Sequence, residues 1–186
     1  LIIFGTAIIN SVNFMDGIDG LVCGCMIIIF TALNVKLHYL IPIIGTLLAF
    51  LKFNWFPSKV FMGDSGSLFL GSFLVSLIFL SVDLIEVLKI ILLCSPLFLD
   101  AMICIFRRLI NKQNIFKSHK LHLYQRLVTA GLKHSTVSLI YISSTFLLSI
   151  VFIFSNILLL SITAIIIFVM GIYLDKNYAQ DFHSLT

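Results

Sequence analysis

Residues 136–174 read TVSLIYISSTFLLSIVFIFSNILLLSITAIIIFVMGIYL and contain no charged side chain. About 20 apolar residues in a helix cross the roughly 30 Å hydrocarbon core of a bilayer, so 136–154 and 157–174 are two candidate spans. The rest of the 186-residue chain is similar, with 60% hydrophobic and 11% charged residues and a mean hydropathy of +1.15. Soluble domains are about half apolar and a quarter charged. The composition therefore predicts a membrane protein.

Four further apolar runs and the end of a fifth precede this stretch. These runs lack the alternation of barrel strands, and only helices or closed barrels satisfy every backbone polar group in lipid. The predicted fold is all-α, a polytopic transmembrane helical bundle with about six complete spans plus a truncated first one. No repeat or linker divides the chain, so we predict a single domain, 1–186, that includes a basic cytoplasmic loop at 107–135. The additional predicted spans are 21–35, 39–53, 66–82 and 87–106, after the tail of another at 1–9.

The distribution of basic residues predicts the orientation of these spans. Alternation of spans places the connections 10–20, 54–65 and 107–135 and the tail 175–186 on one side. Loops rich in Lys and Arg remain in the cytoplasm, so this side is predicted to be cytoplasmic. The basic run 107–133 serves either as this topological signal alone or also in binding. Ten of the 12 Lys and Arg residues lie on this side: Lys52, Lys59, Arg107, Arg108, Lys112, Lys117, Lys120, Arg126, Lys133 and Lys176.

Two acidic segments on that side carry candidate chemistry. Residues 10–21 read NSVNFMDGIDGL, and the three-residue spacing of Asn13, Asp16 and Asp19 places them on roughly one face of a helical turn. Residues 61–67 read FMGDSGS, with Asp64 just before an apolar helix. Each carboxylate alone could simply cap a helix. Together at one membrane surface, carboxylates with oxygen-only partners are typical of a Mg²⁺ site.

A third segment, 118–127, reads SHKLHLYQRL on the same side. Its imidazoles and cations are a plausible clamp for a diphosphate or nucleotide, although a surface histidine is more often simply solvated. Zinc is disfavoured here because no cysteine is suitably spaced. The four cysteines all lie in apolar runs, where free cysteines usually pack as small hydrophobic side chains.

The segments 10–21, 61–67 and 122–127 resemble the signature motifs of the polyprenyl-phosphate N-acetylhexosamine-1-phosphate transferases, glycosyltransferase family 4. This family includes the phospho-N-acetylmuramoyl-pentapeptide transferases. The resemblance implies transfer of a sugar 1-phosphate from a UDP-sugar to undecaprenyl phosphate, with release of UMP, to start synthesis of a cell-envelope polysaccharide such as O-antigen or common antigen. It also implies a bacterial inner-membrane location, a cytoplasm-facing active site and no nucleic-acid partner.

The resemblance also implies roles for individual residues. Mg²⁺, or Mn²⁺ in its place, would be bound by Asp64 and Asn13, and Asp16 and Asp19 would be catalytic. Asp100 matches an acidic residue ahead of the family's basic loop. The residues implied to bind substrate are His122, Arg126, His119, Asn10 and Asn54.

The chain departs from the family pattern in two places. Many members carry His-x-His-His, whereas this chain has His122-Leu-Tyr-Gln, a form that resembles the branch acting on fucosamine- or quinovosamine-type sugars. Members also carry an adjacent aspartate pair upstream, which this chain lacks while opening on Leu1. We therefore infer that an upstream part has been lost, is encoded as another chain or lies outside this sequence, and an N-terminal companion chain or a homodimer is a candidate partner. The alternatives are an inactive truncated remnant, or a transporter, which is disfavoured because the carboxylates lie at helix ends rather than at the bilayer midplane.

Overall fold

The computed structural model describes residues 1–114, 117 and 119–182. Ile115, Phe116 and Ser118 of the predicted loop, and 183–186 of the predicted tail, lie outside the described residues. Within the described part the chain forms α-helices and no strand, which confirms the all-α prediction. The helices are α1 (Ile2–Met15), α2 (Leu21–Leu37), α3 (Ile41–Asn54), α4 (Gly63–Leu80), α5 (Leu84–Leu93), α6 (Ser95–Ile110), α7 (Leu123–Thr129), α8 (His134–Phe154) and α9 (Ile157–Asn177).

Helix length and composition identify a multi-pass membrane protein. In the described residues, α4, α8 and α9 are each long and apolar enough to cross a membrane, and α5 and α6 together would make a fourth span. The helices α1, α2 and α3 are also apolar but shorter. The prediction of a polytopic helical bundle is confirmed.

The predicted span 87–106 is not one straight helix. The chain bends by 78° between α5 and α6, at Cys94. Pro96 lies in the first turn of α6, where its missing N–H costs little but where it cannot extend the preceding helix. Hydropathy alone does not report such a break, because the residues on both sides of it are apolar.

The interior of the bundle forms where α1 packs on α4 and α6, and where α2 packs on α3 and α8. A Cβ on Gly71 of α4 would lie 2.9 Å from the Cα of Ile9, so glycine allows α1 and α4 to approach closely. The helix α9 contacts α8 and α5 but buries only Leu160 and Ala164. Its remaining apolar surface is therefore available to lipid.

Contacts between helices agree with the prediction that the connections 10–20, 54–65 and 107–135 lie at one end of the bundle. The Asn13 amide on α1 donates to Asp64 on α4, and the Ser138 hydroxyl on α8 donates to the backbone oxygen of Asp19. At the opposite end, Lys36 pairs with Glu86 at 2.7 Å. The predicted loop 107–135 is partly helical, because α6 runs to Ile110, α7 lies within the loop and α8 begins at His134.

Candidate functional site

The centre of the site is a contact between the two acidic motifs. Asn13 lies in the last turn of α1, and its Nδ2 donates to Asp64 Oδ1 at 3.1 Å and to the buried Ser67 Oγ at 2.8 Å. Ser67 in turn donates to the backbone oxygen of Gly63 at 3.1 Å. Folding thus joins the two residues predicted to be metal contacts, although in this arrangement the Asn13 amide nitrogen, rather than its oxygen, faces Asp64.

Asp16 lies beside this contact at the C-cap of α1 and is half-buried. Burial, and secondarily the negative charge of Asp64, raises the pKa of Asp16 to about 6. No salt bridge reaches Asp16 or Asp64 from a cation in the described residues. Two neighbouring carboxylates without a counter-charge are a favourable place for a cation.

The donor set suits Mg²⁺, which binds proteins through one or two carboxylates and completes its shell with water and substrate phosphates. Asp64 is exposed and Asp16 is half-buried, so both are open to a ligand at this surface. Asp19 does not converge with them into a three-ligand group within the described chain.

Asp19 is buried and its oxygens are already occupied. Ser58 donates to them through its hydroxyl at 2.9 Å and its backbone N–H at 3.2 Å, and His134 Nδ1 lies 3.6 Å from Asp19 Oδ2. These contacts tie the α3–α4 connection and the start of α8 to the acidic motif. The catalytic role predicted for Asp19 stays a prediction.

The two predicted asparagine contacts differ in their surroundings. Asn54 is buried, accepts from the Gly20 N–H at 3.1 Å and donates to the Val60 oxygen at 3.0 Å. It thereby holds Gly20, whose φ of +72° is easily adopted only by glycine. Asn10 is exposed on α1 and has no side-chain hydrogen bond within the described residues. Of the two, only Asn10 therefore offers a free amide to a ligand.

The basic segment is anchored to the acidic motif through α7. Asp100 of α6 accepts hydrogen bonds from Leu123 N–H at 2.8 Å, Tyr124 N–H at 3.2 Å and the Tyr141 hydroxyl at 2.6 Å. The Tyr124 hydroxyl then donates to the backbone oxygen of Phe14 at 3.0 Å. Burial and the charges of Asp100 and Asp16 raise the Tyr124 pKa, so this hydroxyl keeps its proton.

The two predicted histidines lie next to each other at the edge of this anchor. Their ring centroids are 5.1 Å apart, and the buried His122 ring stacks 5.7 Å from Tyr124. Burial, followed by the charges of His122 and Arg108, lowers the pKa of His119 to about 4. His119 is therefore neutral at physiological pH.

Arg126 is placed differently from a surface phosphate clamp. It is buried, forms an ion pair with Asp175 of α9 and donates to the Gln180 oxygen at 2.8 Å. Burial, and secondarily the positive charge of Arg107, lowers its pKa. The substrate contact predicted for Arg126 stays a prediction, whereas the structure shows its guanidinium joining α7 to α9.

Sequence reasoning missed Ser58, His134 and Asp175 as partners of the predicted residues. Asp175 carried a signal, because a carboxylate at the end of an otherwise apolar span is costly unless it is paired. Ser58 and His134 carried none, since a serine in a connection and a histidine at a helix start are common without any role.

Comparison with known proteins tests the resemblance. The family model described as Glycosyl transferase family 4 matches residues 1–82, which include both acidic motifs. A probable undecaprenyl-phosphate N-acetylglucosaminyl 1-phosphate transferase of Bacillus subtilis is 36% identical over 90% of this chain and 51% of its own length. The chain is related to glycosyl transferase family 4.

Two phospho-N-acetylmuramoyl-pentapeptide-transferases extend the comparison. That of Petrotoga mobilis is 36% identical over 65% of this chain and 40% of its own length. That of Clostridium beijerinckii is 44% identical over 38% of this chain and 24% of its own length. The predicted family resemblance is confirmed, and the chain spans about half, or less, of the length of these relatives.

Proposed function

We propose that this family 4 chain carries part of the active site of a phosphotransferase that moves an N-acetylhexosamine 1-phosphate from a UDP-sugar to undecaprenyl phosphate. The reaction initiates synthesis of a cell-envelope polysaccharide at the cytoplasmic face of the bacterial inner membrane. The observation that carries the proposal is the contact between Asn13 and Asp64, with Asp16 beside it, at the end of a membrane bundle. A donor dissolved in water and an acceptor anchored in lipid can meet at such a surface.

In this reaction an oxygen of the lipid phosphate attacks the β-phosphorus of the donor. The bond between that phosphorus and the bridging oxygen breaks, and UMP leaves with the electron pair. Mg²⁺, or Mn²⁺, held by Asp64 and Asp16 would supply positive charge against the donor diphosphate. Catalysis in phosphoryl transfer is mainly positioning and charge stabilisation, so the residues act chiefly by holding ligands.

The remaining residues of the site position these groups. Asn13 orients the Asp64 carboxylate by its hydrogen bond, and the bond to Ser67 fixes the amide. Asp19 holds the connection before α4 through Ser58. Neutral His119 and nearby Lys120 lie on the segment that α7 anchors to the acidic motif, where they would contact donor phosphates.

The test is UMP release from UDP-sugars in membranes that contain the chain, undecaprenyl phosphate and Mg²⁺. The chain is expressed alone and together with any polypeptide encoded directly upstream, because a companion chain or a second copy would complete the site. We expect Asp64→Asn to abolish turnover. Asp83→Asn, which alters an exposed N-cap of α5 at the opposite end of the bundle, is the matched control and should retain it.

Turnover that survives Asp64→Asn would overturn the assignment of the metal site. Absence of turnover in both arrangements, with the chain correctly inserted, would favour an inactive remnant. Activity with several UDP-sugars should be compared, because the His122-Leu-Tyr-Gln form of the histidine motif favours fucosamine- or quinovosamine-type donors.

A further inference from the structure

The described residues contain one group of three side chains arranged like metal ligands, and it lies outside the carboxylate site. Cys104 of α6, His119 and His122 each offer a ligand atom, and these atoms all lie within 4.8 Å of one another. The sequence disfavoured zinc because no cysteine is spaced suitably from the histidines. Folding supplies the cysteine from a different element.

We propose that Cys104, His119 and His122 form a binding site for a borderline-soft divalent cation of the Zn²⁺ class. One thiolate and two imidazoles are ligands that Zn²⁺ and Co²⁺ prefer, whereas Mg²⁺ prefers oxygen. Three protein ligands leave the fourth tetrahedral position for water or another small ligand. The site is therefore chemically distinct from the carboxylates of Asp16 and Asp64.

The distances are close to those that a metal requires. Zn–S and Zn–N bonds of about 2.3 and 2.0 Å place tetrahedral ligands about 3.5 Å apart. A separation of up to 4.8 Å therefore needs a contraction of up to about 1 Å, and His119 is the least buried of the three side chains. His119 Nδ1 accepts a long 3.3 Å hydrogen bond from Leu121 N–H, which a metal bound at that atom would replace.

The surroundings of His122 resemble the second layer of a metal site. Its side chain is 3% exposed, and its buried Nδ1 atom faces Asp100. Asp100 Oδ1 lies 3.7 Å from that atom, which is beyond hydrogen-bond distance. A small shift of the His122 ring would bring the two atoms into a hydrogen bond that orients the ring. A carboxylate behind a histidine is the usual second layer of a metal site.

A cavity beside Cys104 also offers an entry route for the metal. Cys104 binds by releasing its thiol proton to solvent, which balances the charge of the step. A cavity of about 300 Å³ is lined by Cys104, Asp100 and Leu121, and so reaches one of the three proposed ligands.

The test is a Co²⁺ titration of the metal-free full chain in detergent, with exclusion of oxygen. We expect one equivalent to give the visible absorption of tetrahedral Co²⁺ and a near-ultraviolet sulfur-to-cobalt charge-transfer band. Zn²⁺ should displace the Co²⁺, and excess Mg²⁺ should not. Because transfer activity is not the readout, failure here and failure of the proposed function are distinguishable.

Variants assign the ligands. Cys104→Ser should abolish the charge-transfer band, and His119→Asn should weaken Co²⁺ affinity by about tenfold or more. Cys25→Ser, at a buried cysteine of α2, is the matched control and should leave the titration unchanged.

A folded wild-type chain without the charge-transfer band, or a Cys104→Ser chain that retains it, would overturn the proposal. Circular dichroism reports whether each variant has folded. If Cys104→Ser does not fold, His119→Asn decides the question, because its half-exposed side chain tolerates substitution, and an unchanged affinity would reject the site.

Discussion

At the scale of single residues, Asp16 shows how environment changes the chemistry of one carboxyl group. Its pKa is raised from 3.8 to about 6 because it is half-buried and lies near the negative charge of Asp64. The folded chain therefore holds this proton more tightly than the unfolded chain does between pH 4 and pH 6. Asp16 makes folding less favourable as the pH rises through this window, and a bound cation offsets that cost.

We predict that Mg²⁺ affinity falls as the pH drops below about 6, because a protonated Asp16 no longer adds negative charge beside Asp64. Asp16→Asn should bind Mg²⁺ more weakly, with an affinity that changes little between pH 5 and pH 7. Isothermal titration across this range measures both. A wild-type pH dependence that persists in Asp16→Asn would assign the proton to a different group.

The packing of the fold requires glycine at position 17. A Cβ at this position would lie 2.0 Å from the Tyr124 hydroxyl oxygen and 2.9 Å from its ring carbon Cζ. We predict that Gly17→Ala destabilises the chain by about 1–3 kcal/mol in thermal unfolding, as overpacking does. Gly45→Ala in α3 is the matched control, because a Cβ there meets nothing within 4 Å and alanine favours helix.

Removing the Tyr124 hydroxyl tests whether the clash with this group causes the predicted loss of stability in Gly17→Ala. Tyr124→Phe combined with Gly17→Ala should recover part of the lost stability, since the nearest clash disappears. Strictly additive effects of the two substitutions would show that the clash is not the reason.

At the scale of elements, α7 is held in place mainly by one carboxylate. It has seven residues, too few to be stable alone, and its first backbone N–H groups donate to Asp100 of the neighbouring α6. The Tyr141 hydroxyl of α8 donates to the same carboxylate. The position of the basic segment at the acidic motif therefore depends on a residue that lies in a different helix.

We predict that Asp100→Asn increases amide exchange in residues 121–130 by at least about tenfold, because hydrogen bonds to a charged group contribute about 1.5–3 kcal/mol. Hydrogen–deuterium exchange with mass spectrometry measures this change. Asp83→Asn removes a helix cap at the other end of the bundle and should leave these amides unchanged. Equal protection of 121–130 in both variants would show that α7 does not need the Asp100 charge.

At the scale of the whole molecule, Asp175 joins three helices. Arg107 of α6 and Arg126 of α7 both pair with it at the end of α9, and Arg126 is 3% exposed. We predict that Asp175→Asn lowers the free energy of unfolding by about 3 kcal/mol, because it leaves a buried guanidinium unpaired. Denaturation in mixed micelles measures this loss.

The control for Asp175 is the exposed pair of Lys36 and Glu86 at the other end of the bundle. Glu86→Gln should cost less than about 1 kcal/mol, because solvent screens this ion pair. A loss for Asp175→Asn no larger than that of Glu86→Gln would show that the three helices are held by apolar packing alone.

The sequence by itself determined the fold class and the grouping of the connections. Apolar runs such as 136–154 and 157–174 must satisfy their backbone within lipid, and the bias of Lys and Arg orients the connections between them. The resemblance to the family motifs then implied a shared site for Asn13 and Asp64, and the fold places Asn13 Nδ2 3.1 Å from Asp64 Oδ1. The fold class and the grouping of the connections follow from local composition, whereas the shared site of Asn13 and Asp64 is what the resemblance to the family implies.

Only the tertiary structure decided which contacts the predicted site residues make. It buried Arg126 against Asp175, occupied the oxygens of Asp19 with Ser58, and brought Cys104 to His119 and His122. It also bent the predicted span 87–106 at Cys94. Each of these outcomes depends on contacts between helices that are distant in the sequence. Such contacts are set by the packing of whole helices, which local spacing and hydropathy do not record.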